Sequence, residues 1–150
     1  MTCFVLHPQL KKDSELVTEL MLCSVRLIND VNYPWLILVP QVDNISDVID
    51  LSDAQQQMLW QESALVSRAL KHLFTPDKLN VAALGNMVPQ LHLHHIVRYK
   101  NDVSWPKPIW GQVPSKAYSD EQLSKQIKLI KTEIKTRSEN DSNNNSSARR

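Results

Sequence analysis

One short stretch of the chain carries an unusual density of imidazoles. Residues 90–98 read QLHLHHIVR, and three of the chain's five histidines lie at positions 92, 94 and 95. A β-strand alternates its side chains between two faces, so Gln90, His92 and His94 would share one face while His95 points to the other. Two aligned imidazoles on a polar face suit either attack on phosphorus or the binding of zinc or iron.

Three interpretations of this stretch compete: buried structural histidines, a metal site, or catalysis by an imidazole nucleophile. A metal needs a third and usually a fourth ligand, and the nearest downstream acid, Asp102, follows a turn. A neutral imidazole attacks phosphorus well, and the rest of the polar face would bind oxygens of the transferred group. We therefore favour a catalytic site and expect neither a metal nor a cofactor, with His95 in a structural role.

The sequence before this stretch predicts strands followed by one long helix. Alternating apolar residues predict either one bent strand or two strands with a bulge over residues 16–30, and an apolar run predicts a central strand over 35–39. Ser52 and Gln55 have the spacing of a capping box, which begins a helix with one apolar stripe. Thr75-Pro76-Asp77 ends it.

Further strands and a second helix complete the pattern. Strands are predicted over residues 78–84 and 90–99, and Ser119 with Gln122 forms a second capping box before a C-terminal helix. The order predicts an α+β fold: a mainly antiparallel sheet with one long helix packed on it and a C-terminal helix. We expect a single domain over residues 1–137. The polar residues 138–150 predict a disordered tail.

Composition excludes several classes of function. The formal net charge is only +1 and 42% of residues are hydrophobic, so neither nucleic acid polymers nor membranes are expected partners. Cys3 and Cys23 lack CxxC spacing, which favours free thiols and a cytoplasmic protein. The segment 105–111 holds two tryptophans and two prolines, and predicts an extended, packed stretch. We favour a role in covering the sheet edge or closing an interface over the alternative, a ring stacked on an aromatic ligand.

The residues from Asn80 to Arg98 resemble the signature of the histidine triad (HIT) superfamily. That signature is His-φ-His-φ-His-φ-φ, where φ is apolar, preceded by a Gly-Gln-Ser/Thr-type loop and an upstream Asn. The resemblance extends over about residues 16–100, with the histidine segment its most specific part. It implies a homodimeric HIT-like fold that hydrolyses dinucleoside polyphosphates or other nucleoside phosphoanhydrides and phosphoramidates. The implied reaction passes through a nucleotidyl-histidine intermediate.

The resemblance also implies roles for individual residues. His92 occupies the position of the nucleophile that attacks the α-phosphorus. His94 matches the last histidine of the triad, which contacts phosphate or leaving-group oxygens. Asn80 matches the upstream Asn near the phosphate. Asn29 or Asp30 falls where the family places its acceptor for the ribose hydroxyls, and the Asp30 carboxylate is the better acceptor.

The chain also departs from the family pattern at three positions that we include among the nucleotide-binding candidates. Gln90 stands in place of the first histidine, Met87 where many members have Ser or Thr, and Asn86 in place of the usual Gln. These departures keep two alternatives open. One is a nucleotide-binding or scaffolding protein with little catalysis, and the other is a nucleotidyltransferase or phosphorylase of the same superfamily.

Overall fold

An antiparallel sheet of five strands forms the centre of the fold. The structure, a computed structural model, describes residues 4–147. Its helices are α1 (Pro8–Asp13), α2 (Asp53–Phe74) and α3 (Asp120–Ser147), and its strands are β1 (Ser14–Glu19), β2 (Cys23–Ile28), β3 (Trp35–Pro40), β4 (Lys78–Ala82) and β5 (Leu93–Arg98). The strand order is β1-β2-β3-β5-β4, and every neighbouring pair is antiparallel. The predicted α+β fold is therefore confirmed.

The long helix α2 begins and ends where the sequence predicts. Ser52 and Gln55 exchange the two hydrogen bonds of a capping box, and Thr75 ends the helix in the left-handed conformation. The apolar stripe of α2 packs with α3 on one face of the sheet, where the main core lies. Its fully buried members include Leu59, Val66, Ala69, Leu70, Ile130 and Ile134.

The opposite face of the sheet is covered only in parts. At one end, Leu10 of α1 and the partly buried Phe4 and Leu6 pack on Ile37 and Val39. At the other end, Tyr33, Ile96 and Ile109 pack with two tryptophans, Trp35 and Trp110. The N-terminal segment (residues 4–13) and the tryptophan segment (residues 105–111) therefore leave an opening between them.

The structure resolves the alternative left open for residues 16–30. Two strands, β1 and β2, form a hairpin, and the register shifts between Leu16 and Thr18. The buried Glu62 of α2 supports the connection, because its carboxylate accepts from the main-chain N–H groups of Leu22 at 2.8 Å and Cys23 at 3.0 Å. Cys23 is a free, buried thiol whose pKa is raised by burial and then by the nearby Glu62; Cys3 lies outside the described residues.

The C-terminal segment differs from the prediction. Ser119 and Gln122 form the predicted capping box, but α3 continues to Ser147 instead of ending before the expected tail at 138. A helix already anchored by buried isoleucines adds each further turn at little cost, because the nucleus has formed. Asp141 also pairs with Arg68 of α2 at 2.8 Å. Residues 148–150 lie outside the described residues.

Candidate active site

A pocket of about 560 Å³ lies in the opening between the N-terminal and tryptophan segments. Both aligned histidines line it. Its other walls come from α1, the end of β2, the start of β3, the loop before β5 and the segment after Trp110. The lining residues are Leu10, Lys12, Asp13, Ile28, Asn29, Asp30, Trp35, Leu84, Gly85, Asn86, Met87, Val88, His92, His94, Trp110 and Ser115.

The ring of His92 is held in one tautomer by the main chain. Its Nδ1 lies 2.7 Å from the carbonyl oxygen of Gln90. A carbonyl only accepts, so Nδ1 carries a proton, and in the neutral ring Nε2 then carries a lone pair. Nε2 has no hydrogen-bond partner among the described residues. Every buried side-chain nitrogen or oxygen in that part of the chain does have a partner, so Nε2 is not buried and is accessible from the pocket. The side chain is thus arranged as a neutral nucleophile facing the pocket.

The ring of His94 is held in the opposite tautomer by a tryptophan. Trp35 Nε1 donates to His94 Nδ1 at 3.0 Å. An indole N–H only donates, so His94 must carry its proton on Nε2. Burial, followed by the neighbouring His92 and His95, lowers the pKa of His94 to about 3. His94 therefore stays a neutral N–H donor beside the nucleophile, with the two ring centroids 4.8 Å apart.

His95 lies on the other face of the sheet, as predicted. Its side chain is fully buried, its Nδ1 donates to the Leu93 carbonyl at 3.1 Å, and Ser63 Oγ of α2 lies 2.7 Å from its Nε2. Burial lowers the pKa of His95 to about 4, although the hydrogen bond to Leu93 opposes this effect. His95 joins the sheet to α2 and does not reach the pocket.

These two lowered pKa values predict that the protein loses stability in mild acid. The unfolded chain protonates each histidine below about pH 6.5, whereas folded His94 and His95 stay neutral down to about 3 and 4. The unfolded state therefore binds more protons across this window. The free energy of unfolding should fall by up to about 1.4 kcal/mol per pH unit for each histidine as pH decreases. Urea unfolding between pH 7.5 and 4.5 measures this slope.

A matched pair of variants assigns the slope. Replacing buried His95 with Gln should remove about half of the pH dependence, whatever it does to stability at pH 7.5. Replacing the exposed Gln61 of α2 with Leu, which removes no titratable group, should leave the slope unchanged. Stability that is constant between pH 6.5 and 4.5 in the unmodified protein would contradict the prediction.

Asn29 and Asp30 lie together at the pocket wall, where β2 ends. Asn29 Oδ1 accepts from the Tyr118 N–H at 2.9 Å. Asp30 is buried, and its Oδ1 accepts from Asn32 N and Nδ2 at 3.0 and 2.8 Å and from Lys116 N at 3.3 Å. No described residue donates to Asp30 Oδ2, so this oxygen is the better placed acceptor for a ligand hydroxyl.

Asn86 and Met87 reach the pocket on the loop before β5. Gly85 in this loop has a φ of 71°, a conformation that costs glycine little because it has no Cβ. The Met87 side chain is 94% exposed at the pocket edge. Its thioether cannot donate a proton. The loop therefore supplies an exposed apolar side chain at the position where a hydroxyl would offer a donor.

Asn80 and Gln90, both predicted to bind nucleotide, do not line the pocket. Asn80 Oδ1 accepts from Arg98 Nη1 at 2.8 Å within the sheet. Gln90 precedes β5, because the strand begins at Leu93 instead of at residue 90. Its side-chain amide bonds to the main chain of Val5 and His7. Internal hydrogen bonds thus occupy the side-chain oxygen of Asn80 and both polar atoms of the Gln90 amide.

Sequence reasoning missed the wall that α1 provides and underweighted the tryptophans. The helix α1 contributes Leu10, Lys12 and Asp13 to the pocket lining. The sequence did not predict this helix, because its six residues are too few to show a helical period of apolar residues. Trp110 belongs to the segment expected to cover an edge or an interface, yet its ring lies 5.2 Å from that of His94. The high density of tryptophan in residues 105–111 indicated a packed segment. Only the fold shows that this segment packs beside His94.

Within residues 4–147, no group of three or more His, Cys, Asp or Glu side chains is placed to hold a metal. Asp102, the acid considered as a further ligand, instead pairs with Arg98 at 2.7 Å. No helix in the described part of the chain is long and apolar enough to cross a membrane.

Comparison with known families finds a match over more than half of the chain. Residues 9–101 match the HIT domain. The chain belongs to the HIT domain family. The match starts within α1 and ends just after β5, so it includes most of the pocket lining but not Trp110 and Ser115. A comparison with curated proteins finds no significant match.

Solved structures of other HIT proteins resemble this one over nearly the whole chain. A histidine triad protein from Marinobacter aquaeolei is 46% identical with a TM-score of 0.87, covering 90% of this chain and 98% of that one. One from Bradyrhizobium japonicum is 43% identical with a TM-score of 0.86, covering 89% and 99%. One from Sinorhizobium meliloti is 40% identical with a TM-score of 0.83, covering 85% and 94%. Together with the domain match, these similarities support a nucleotide-binding or hydrolase role for this HIT domain.

Proposed function

We propose that the protein hydrolyses a nucleotide derivative at its α-phosphorus, with His92 as the nucleophile. The observation that carries this proposal is the hydrogen bond from His92 Nδ1 to the Gln90 carbonyl, which leaves Nε2 unprotonated and open to the pocket. Suitable substrates are dinucleoside polyphosphates and other nucleoside phosphoanhydrides or phosphoramidates, as the resemblance to the superfamily implies.

The reaction proceeds in two displacements at phosphorus. In the first, His92 Nε2 forms a bond to the α-phosphorus while the bond from phosphorus to the leaving group breaks. A phosphate leaving group departs as the anion, and an amine departs with a proton taken from solvent. The ring becomes positively charged, and the Gln90 carbonyl stabilises it by accepting from Nδ1–H. In the second, water attacks the phosphorus and loses a proton to the solvent, the P–N bond breaks, and a nucleoside monophosphate leaves with neutral His92 restored.

Other pocket residues hold the substrate. His94 Nε2–H donates to an oxygen on the phosphate or the leaving group, because Trp35 occupies its Nδ1. Asp30 Oδ2 accepts from the ribose hydroxyls, with Asn29 beside it. The apolar side chains of Leu10 and Ile28 border the same pocket and offer a surface for the base.

Turnover assays separate this proposal from its alternatives. Purified protein should release AMP from a diadenosine polyphosphate or from adenosine 5′-phosphoramidate, followed by chromatography. Calorimetric binding of AMP without any turnover would instead select a binding protein, an alternative favoured by the absence of a proton donor on Met87. Formation of ADP from adenosine 5′-phosphoramidate only when inorganic phosphate is added would select a phosphorylase.

Replacing Trp35 with Phe should weaken catalysis through His94. The variant keeps an aromatic ring but loses the donor to Nδ1, so the His94 proton is free to move between both nitrogens. We expect kcat to fall about tenfold, a usual effect of losing a partner that orients a functional histidine. Nitrogen chemical shifts of His94 report the tautomer directly. Replacing the half-exposed Trp60 of α2 with Phe is the matched control, and equal effects of the two variants would contradict the role of Trp35.

The homodimer implied by the resemblance stays a prediction. Sedimentation of the full chain measures it, with a mass of twice 17.2 kDa expected. A monomer at the concentrations used in the turnover assays would overturn it without affecting the chemistry of His92.

A further inference from the structure

The side chain of Gln90 holds the N-terminal segment through two hydrogen bonds. Its Oε1 accepts from the His7 main-chain N–H at 2.9 Å, and its Nε2 donates to the Val5 carbonyl at 3.0 Å. Residues 4–7 belong to no helix or strand, so these bonds replace the ladder that a sheet would provide. One amide thus ties a segment more than 80 residues away in sequence to a position two residues before the nucleophile His92.

The held segment leads directly into α1. His7 is the N-cap of α1, where its Nδ1 accepts from Gln9 N and its carbonyl accepts from Lys11 N. Leu10 then anchors the helix in the small core on that face of the sheet. The last turn of α1 brings Lys12 and Asp13 to the pocket wall. The position of this wall therefore depends on the residues that Gln90 holds.

Only an amide meets both demands of this contact. Val5 presents an acceptor and His7 a donor, and the adjacent oxygen and nitrogen of one glutamine satisfy both. A glutamate at this position has no donor for the Val5 carbonyl. The donor and acceptor of an imidazole lie on opposite sides of its ring and diverge, so a histidine cannot pair with two groups of one short segment.

We propose that Gln90 is a positioning residue that fixes α1 as one wall of the pocket, and that Lys12 on this wall binds the anionic part of the substrate. This inference rests on the proposed function for its substrate. The two roles of Gln90 are separable. Its side chain sets the α1 wall, whereas its main-chain carbonyl fixes the tautomer of His92 and is retained in every substitution. The side chain should therefore control KM, and kcat should be largely independent of it.

Three variants test the inference: Gln90→Leu, which removes both hydrogen bonds, Gln90→Glu, which removes the donor, and Lys12→Ala. Amide hydrogen exchange of residues 4–13, followed by mass spectrometry, reports the docking of the segment without any substrate. Both Gln90 variants should lose protection there and raise KM for a diadenosine polyphosphate by about tenfold, with kcat within about twofold. Lys12→Ala should raise KM similarly while protection stays at the unmodified level.

Replacing Gln61 of α2, which is exposed on the far side of the sheet, with Leu is the matched control and should change neither quantity. Unchanged exchange protection of residues 4–13 in Gln90→Leu would show that the Gln90 side chain does not hold the N-terminal segment. Lost protection with an unchanged KM would show that α1 is not a substrate-binding wall. A fall in kcat larger than the rise in KM would contradict the claim that the Gln90 side chain controls KM and not kcat. If the unmodified protein has no turnover, the proposed function fails, while the exchange comparison still tests whether the Gln90 side chain holds the N-terminal segment.

Discussion

Replacing His92 with alanine is expected to abolish nucleotide hydrolysis. The variant removes the one pocket imidazole whose Nε2 is unprotonated and accessible, since Trp35 donates to Nδ1 of the other and leaves it an N–H donor. Loss of a covalent nucleophile usually lowers kcat by at least about a thousandfold. Release of AMP from a diadenosine polyphosphate, measured by chromatography over hours, has the required sensitivity.

Two controls make this result specific. His72→Ala removes an imidazole that is exposed on α2 and should leave turnover unchanged. Circular dichroism and urea unfolding show whether His92→Ala is folded, because its buried side chain also packs beside His94. A folded His92→Ala protein that retains a tenth or more of the activity would exclude His92 as the nucleophile.

Of the substitutions described, Asp102→Ala is expected to lower the free energy of unfolding the most. The Asp102 carboxylate binds Arg98 through two hydrogen bonds of 2.7 and 3.1 Å, and the Arg98 side chain is only 1% exposed. Without this partner a guanidinium stays buried with no counter-charge, which usually costs about 3–5 kcal/mol. The midpoint of urea unfolding at pH 7 should fall accordingly.

The exposed pair Arg68–Asp141 is the matched control. Its side chains are 50% and 53% exposed, so Asp141→Ala should cost less than about 1 kcal/mol. Acid should also weaken the buried pair. Burial by itself would raise the pKa of Asp102, but the hydrogen bonds from Arg98, Ser104 and Tyr99 and the charge of Arg98 lower it overall. This contribution is present at neutral pH and is lost as pH falls through the lowered pKa. Equal losses for Asp102→Ala and Asp141→Ala would contradict the prediction.

Local patterns predicted much of the fold. The capping boxes at Ser52 and Ser119 set the starts of α2 and α3 within a residue, because the cap bonds join groups only three positions apart. Alternation along the histidine stretch separated His92 and His94 from His95, because neighbouring strand residues point to opposite faces. These features depend on nearby residues alone.

The partners of the site residues depend on contacts that are distant in sequence. Asn80 was expected near phosphate, but it lies opposite Ile96 in the β4–β5 pair and accepts from Arg98. Gln90 was expected in the pocket, and its amide instead meets residues 5 and 7. No local pattern shows which remote polar group will satisfy a side-chain amide. The helix α3 likewise extends past residue 138 through contacts with α2, where composition alone predicted disorder.

The most direct measurement is mass spectrometry of the unmodified protein mixed briefly with adenosine 5′-phosphoramidate or a diadenosine polyphosphate and quenched. Nucleophilic catalysis predicts a mass increase of one adenylyl group that maps to the peptide containing residues 90–98, with the modification on His92. The adduct should be absent from His92→Ala and should accumulate when water attack is slow. Turnover without a detectable adduct at any quench time, or an adduct on another residue, would contradict the assignment of His92 as the nucleophile.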